Sequence, residues 1–183
     1  MISGFGKPNR KINTILMVTA TVLLSACTIA PPTSQKKQAE GFAVYLLAQT
    51  MSPNEMLNAN LNSLALADEP IFSTDDIVSY SSDTHEIELS PAANERIRQL
   101  GVPTSGTPFV VTVDGDPIYG GAFWVGYSSL SFDGIVIDTL SADQNRPIRI
   151  QLGYPESPDL FTGEDFRSDP RILQSLKSDA KLK

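Results

Sequence analysis

Phe109-Val110-Val111-Thr112-Val113-Asp114-Gly115-Asp116-Pro117-Ile118-Tyr119-Gly120-Gly121-Ala122-Phe123-Trp124 is the stretch that decides the fold. Its two apolar runs, residues 109–113 and 118–124, are rich in β-branched and aromatic side chains and flank Asp114-Gly115. That dipeptide suits the positive φ angles of a two-residue hairpin turn. The reading is an antiparallel hairpin. Downstream, residues 134–137 and 147–152 are expected to be strands, the second with Ile148, Ile150 and Leu152 on one face. Upstream, Ser90-Pro91 opens a helix to about Gln99, with Gly101 as its stop. Before it, residues 77–80 and 85–89 are short extended segments joined by Ser81-Ser82-Asp83. His85, Ile87 and Leu89 alternate there with Glu86 and Glu88, the period of a half-buried strand. Residues 42–48 form a continuous apolar run that suits a strand buried on both faces.

Ser52-Pro53-Asn54-Glu55 has the form of a capping box, so a short helix is expected after it, then a strand near Leu64. The class is therefore α+β: a single small domain, mainly antiparallel sheet with one or two helices packed on one face. It is expected over residues 42–153. Residues 154–183 read as an extended tail strapped on by Phe161 and Phe166, with a short helix between about Asp169 and Leu182.

The N-terminal region is of another kind. Lys7, Arg10 and Lys11 precede a mostly apolar run over residues 12–24, and no acid occurs before Glu40. The run is shorter than the roughly 20 residues that cross a bilayer, and it ends in Leu24-Ser25-Ala26-Cys27. This tetrapeptide resembles the lipobox of bacterial lipoproteins. The resemblance implies cleavage before Cys27 by signal peptidase II, a diacylglycerol thioether on Cys27, and acylation of the new amine. Lipid chains add about 0.8 kcal/mol per buried CH₂, so two or three give lasting attachment. Residues 1–26 are thus read as a signal peptide and 27–41 as a proline-containing, polar tether. In such lipoproteins Thr28, in place of aspartate, implies the outer membrane if the organism has one.

Removing Lys7, Arg10 and Lys11 from the 14 basic residues leaves 11 against 21 acids over the 157 residues from Cys27 onward, a net charge of −10. A chain so acidic is a poor partner for nucleic acid. The length suits one domain with a real core. With its only cysteine lipidated, disulfides and thiolate chemistry drop out.

The segment Pro70-Ile71-Phe72-Ser73-Thr74-Asp75-Asp76-Ile77, followed by His85-Glu86-Ile87-Glu88-Leu89-Ser90 and then Pro108-Phe109-Val110-Val111-Thr112-Val113-Asp114-Gly115, resembles the first periplasmic domain of the SecD family. There a turn, a strand, a helix opened by a hydroxyl residue and an apolar strand ending in Asp-Gly recur in this order. The similarity covers roughly residues 64 to 138. It implies a fold and a role in handling extracytoplasmic polypeptide. Without that family's transmembrane helices and second half, it does not imply translocation.

No catalytic, metal or cofactor site is expected. Ser81, Ser82, Asp83 and the sole histidine, His85, lie too close in sequence to be assembled as a triad, and no G-x-S-x-G elbow occurs. Glu86 and Glu88 would stand about 7 Å apart on a solvated sheet face. Asp114-Gly115-Asp116 fits a hairpin turn, since Val125 occupies the position where a calcium loop needs its last carboxylate. The most unusual stretch is residues 119–127, four aromatics among three glycines. Tyr119, Trp124 and Tyr127 are the candidate binding residues, with Trp124 standing over a shallow glycine-lined surface. The functional expectation is a membrane-anchored, extracytoplasmic, non-enzymatic module that binds an envelope protein or peptide. The alternative is a small-ligand or glycan-binding lipoprotein; an envelope hydrolase is a third reading. Replacing Cys27 with Ser should abolish lipid labelling and membrane retention of the mature protein. Recovery of lipid-free wild-type protein with a different mature end would overturn the anchor.

Overall fold

The computed structural model describes Gly4, Gly6 and residues 39–144, 146–157 and 161–183. Cys27, the cleavage site and nearly all of the expected tether lie outside the described residues. Those from 39 onward belong to one compact unit, Lys36–Lys183.

Eight strands occur among the described residues: β1 (Phe42–Leu46), β2 (Phe72–Ser73), β3 (Ile77–Ser81), β4 (Glu86–Leu89), β5 (Thr107–Val113), β6 (Asp116–Trp124), β7 (Phe132–Asp138) and β8 (Ile148–Tyr154). They form one sheet in the order β2-β1-β5-β6-β7-β8-β4-β3. Every neighbouring pair is antiparallel except β6 and β7, which are parallel. The class is α+β, as the sequence implies, with a mixed sheet.

This order closes on itself. β2 and β3 are the two edges, yet only Thr74–Asp76, a single 3₁₀ turn, separates them in sequence. Laid flat, eight strands would span roughly 34 Å at their usual spacing. The chain from Ser73 to Ile77 reaches at most about 14 Å. The sheet must therefore curl until its edges stand side by side. Thr74 Oγ1 accepts from the Phe42 N–H at 3.0 Å and donates to the Phe42 carbonyl at 3.2 Å. Asp76 accepts from the Ser73 N–H at 3.1 Å and pairs with Arg96 at 2.6 Å.

Period-two alternation fills the inside of the curl. Phe42 and Val44, Phe109 and Val111, Tyr119 and Phe123, Ile135 and Ile137, and Ile148 and Ile150 belong to one buried cluster. Helix α2 (Pro91–Arg98) adds Ala93 and Ile97, and α4 (Pro170–Ser178) adds Ile172 and Leu176. The segment read as a strapped-on tail thus supplies core side chains. Past α4 the chain pairs with the free side of β3: Tyr80 N–H donates to the Lys181 carbonyl, and Lys183 N–H to the Tyr80 carbonyl, both at 2.8 Å. Within β3, Val78 is an extra residue that bulges from the ladder with β4.

Helix α1 (Pro53–Leu57) carries the expected capping box between Ser52 and Glu55. It lies on the outer face, where buried Met56 sits over Gly120 of β6. Helices therefore cover both faces of the sheet rather than one. Near Leu64 the expected strand is reduced to one antiparallel bridge, Leu66 with Leu47, after a 3₁₀ turn at Leu61–Ser63 that Asn60 caps. A short α3 (Leu140–Asp143) after β7 was not anticipated.

The parallel pair changes the fate of Trp124. Trp124 lies opposite Asp138 at the far end of β7, so residues 125–131 must run back along the strand before Phe132 can begin it. Such crossovers usually need about a dozen residues or more. This one stays close to the outer face. Tyr154 Oη donates to the carbonyls of Gly126 at 2.8 Å and Ser128 at 3.2 Å. Ser128 Oγ donates to the Thr104 carbonyl at 2.6 Å. On that face Trp124 stacks on Phe132, with ring centres 5.4 Å apart and planes 12° from parallel, and leans on Tyr154 at 5.7 Å. Gly106, at φ +78°, lies against the indole, and a Cβ there would fall 2.4 Å from Trp124 Cε3.

The open indole over a glycine-lined surface is thus corrected. Alternation does place Trp124 opposite the Phe123 side of the sheet, but it is only 3% exposed. Its native fluorescence should be blue-shifted and out of reach of an added quencher. Trp124→Ala should cost about 3–5 kcal/mol, as Phe123→Ala should, because both leave a large cavity. A red, readily quenched emission would contradict the buried indole.

Candidate functional site

The three aromatics proposed as a binding surface do not converge. Tyr119 is inside the curl, edge-on to Phe109 with ring centres 6.5 Å apart, and burial pushes its phenol pKa well up. Trp124 lies on the outer face under its own cover of loops. Tyr127 alone is open, 75% exposed on the crossover, near Leu140, which stands over Gly126. They occupy three environments, and no single ligand can touch all of them.

Something that the sequence reading missed lies on the outer face of β6 and β7. Gly120 and Gly134 floor a pocket of about 250 Å³. Met56, Leu57 and Leu61 form one wall, and Phe161 and Phe166 the other. A Cβ on Gly134 would lie 2.5 Å from the Phe132 ring and 2.9 Å from Leu57 Cδ2, so only glycine fits there. At Gly120 the nearest atoms would be Met56 Cε at 3.1 Å and Sδ at 3.2 Å, the flexible end of an unbranched chain. Tyr119 and Gly120 were the legible trace of this site: both line the pocket, whereas Gly121 faces Phe109 inside the curl. Its companions Gly134, Met56 and Phe161 come from distant segments.

The second wall is a strap, and polar contacts fix it. Thr162 donates to Asp133 twice, from N–H at 2.8 Å and from Oγ1 at 2.7 Å. Arg167, 9% exposed, donates to the Ile150 carbonyl at 2.9 Å and grips Asp165 through Nε and Nη2 at 2.9 and 2.8 Å. Those Arg167 hydrogen bonds hold the Asp165 carboxyl below the usual range. Tyr80 Oη reaches the Arg167 carbonyl at 3.2 Å and His85 Nδ1 at 2.8 Å. A carbonyl only accepts, so both contacts form together when the phenol donates to Arg167 and His85 Nδ1–H donates to the phenol oxygen.

The ring contact of His85 is thus with Tyr80, not with Ser81 or Ser82. The residue turns the chain at φ +54°, just before β4 begins. Glu88 accepts from Ser79 Oγ at 3.0 Å and pairs loosely with Lys183. Among the described residues, no group of three or more His, Cys, Asp or Glu side chains is placed to share a metal ion.

A larger, polar groove of about 1060 Å³ runs between the β5–β6 turn and α4. Six carboxylates line it, among them Asp75, Asp114 and Asp179, against Arg171 and Lys181. Asp114 is already engaged, accepting from the Gly41 N–H at 2.8 Å. The groove offers water-like surroundings and no apolar anchor comparable to the walls of the smaller pocket.

Burial, aided by Arg167 and opposed by Asp165, holds the His85 imidazole below its ordinary value. The folded state therefore binds the proton less readily than the unfolded chain, which titrates near pH 6.5. This contribution to stability is complete above about pH 6.5 and is lost as pH falls towards the lower folded value. His85→Asn, which tolerates positive φ, should shrink the difference in urea midpoint between pH 7.5 and 5.5. An unchanged difference would show that His85 does not carry it.

No protein-family model matches this chain, and no curated protein and no solved structure is measurably similar to it.

Proposed function

We propose that the chain is a lipoprotein held by lipid on Cys27 at the extracytoplasmic face of the cell envelope, and that its domain is a non-enzymatic module for an envelope protein or peptide. In this reading one apolar side chain of the partner enters the pocket over Gly120 and Gly134. The pocket is the observation that carries the proposal. At about 250 Å³ it lies below the roughly 300–1,000 Å³ of sites for drug-sized ligands, and so it suits one side chain or a single ring. Its rim residue Leu57 is 43% exposed, an apolar surface that a partner would cover. Support for the attachment comes from the register of Leu24-Ser25-Ala26-Cys27 behind a basic start and an apolar run. The segment resembling SecD holds β2 to β7, whereas β1 and β8 lie between those strands in the sheet.

The experiment is capture of the lipidated protein from its native envelope. A stoichiometric protein partner is expected with the wild type and with Tyr127→Ser. Gly120→Val, whose Cβ would already lie 3.1 Å from Met56 Cε and 3.4 Å from Leu61 Cδ2 and whose methyls would narrow the pocket, should lose it, and so should Leu57→Ser. A partner retained by both folded pocket variants would move the site elsewhere. Saturable glycan binding with no protein partner would favour the small-ligand alternative.

A further inference from the structure

We infer that the pocket over Gly120 and Gly134 selects an apolar group that carries a positive charge, such as an aromatic or aliphatic side chain next to a lysine or arginine. This rests on the pocket reading above and adds the charge of the occupant. Two carboxylates, Asp133 and Glu164, stand among its lining residues, with no lysine, arginine or histidine among the described ones. Asp133 is pinned by Thr162 at the floor edge. Glu164 is exposed on the strap between Phe161 and Phe166. The strap is held from behind by buried Arg167, so Glu164 stands beside a fixed apolar wall. Phe161 and Phe166 also line the pocket, and aromatic rings attract positive charge over their faces. The acidity of the whole chain draws the same ligands in and turns anions away.

The choice can be tested with three probes that share one ring: 2-phenylethylammonium, 2-phenylethanol and 3-phenylpropionate. Saturation-transfer NMR with the full chain in lipid nanodiscs reads their binding. Gly120→Val protein in identical discs serves as the blank that removes partition into lipid. Relative to that blank, the ammonium probe should bind about threefold to fivefold more tightly than the alcohol, the scale of one exposed ion pair. The carboxylate should bind most weakly. The preference should fall in about 0.5 M salt and shrink in Glu164→Gln, which leaves the walls and Asp133 intact. Equal binding of ammonium and alcohol overturns the inference and leaves the pocket standing, as does a preference unchanged by Glu164→Gln. No difference between wild type and either Gly120→Val or Leu57→Ser, for any probe, overturns the pocket reading itself.

Discussion

Three residues, Thr74–Asp76, hold the two edges of an eight-stranded sheet together, and most of the architecture follows from that short link. A sheet free to spread would need covering on both broad faces. One forced to curl encloses its own core, and short helices suffice to finish it. The link is fixed through side chains with little freedom: Thr74 bonds both backbone groups of Phe42, while Asp76 joins the backbone of Ser73 to Arg96 of α2. Arg96 also donates to the Ile71 carbonyl at 2.7 Å, so α2 is tied to the same corner. The closure thereby sets where α2 meets the core.

The C-terminal thirty residues are bound to this frame by a different chemistry. Arg167 is nearly buried, and its guanidinium is matched by one carbonyl and one bidentate carboxylate. A buried charge with its partners removed is costly, commonly about 3–5 kcal/mol. The strap therefore has one low-energy seating, and Phe161 and Phe166 inherit a fixed position from it. Tyr80 and His85 join that seating to the β3–β4 hairpin. The pocket wall is thus rigid because of polar contacts on its far side, whereas the opposite wall rests on the apolar packing of Met56.

Much of the fold was legible where one local rule settles one element. Asp114-Gly115 makes the turn, with φ +52° and +86°. Ser52, Ser90 and Asp169 cap helices with proline at the first turn. Ile87 and Leu89 are buried between exposed Glu86 and Glu88. What escaped depends on partners far away in sequence. The two residues of β2 carry no periodicity to detect, and their pairing with β1 is set by closure of the sheet. The direction of β7 relative to β6 is invisible in a seven-residue connection that could as well have been a hairpin loop. That one ambiguity decided whether Trp124 faced solvent. The pocket was half legible: glycines in a strand mark close approach, but which side chains approach them is written elsewhere in the chain.

Sheet edges with unpaired backbone groups recruit strands from other molecules, and this is a common start of aggregation. Here one edge strand is two residues long. The other is broken by the Val78 bulge, and the backbone groups of its Tyr80 are occupied by Lys181 and Lys183. A long, flat template is therefore missing from this sheet, despite its eight strands. Under the lipid anchoring proposed above, copies would be concentrated on a two-dimensional surface, and the curl that builds the core would also keep neighbours from zipping together.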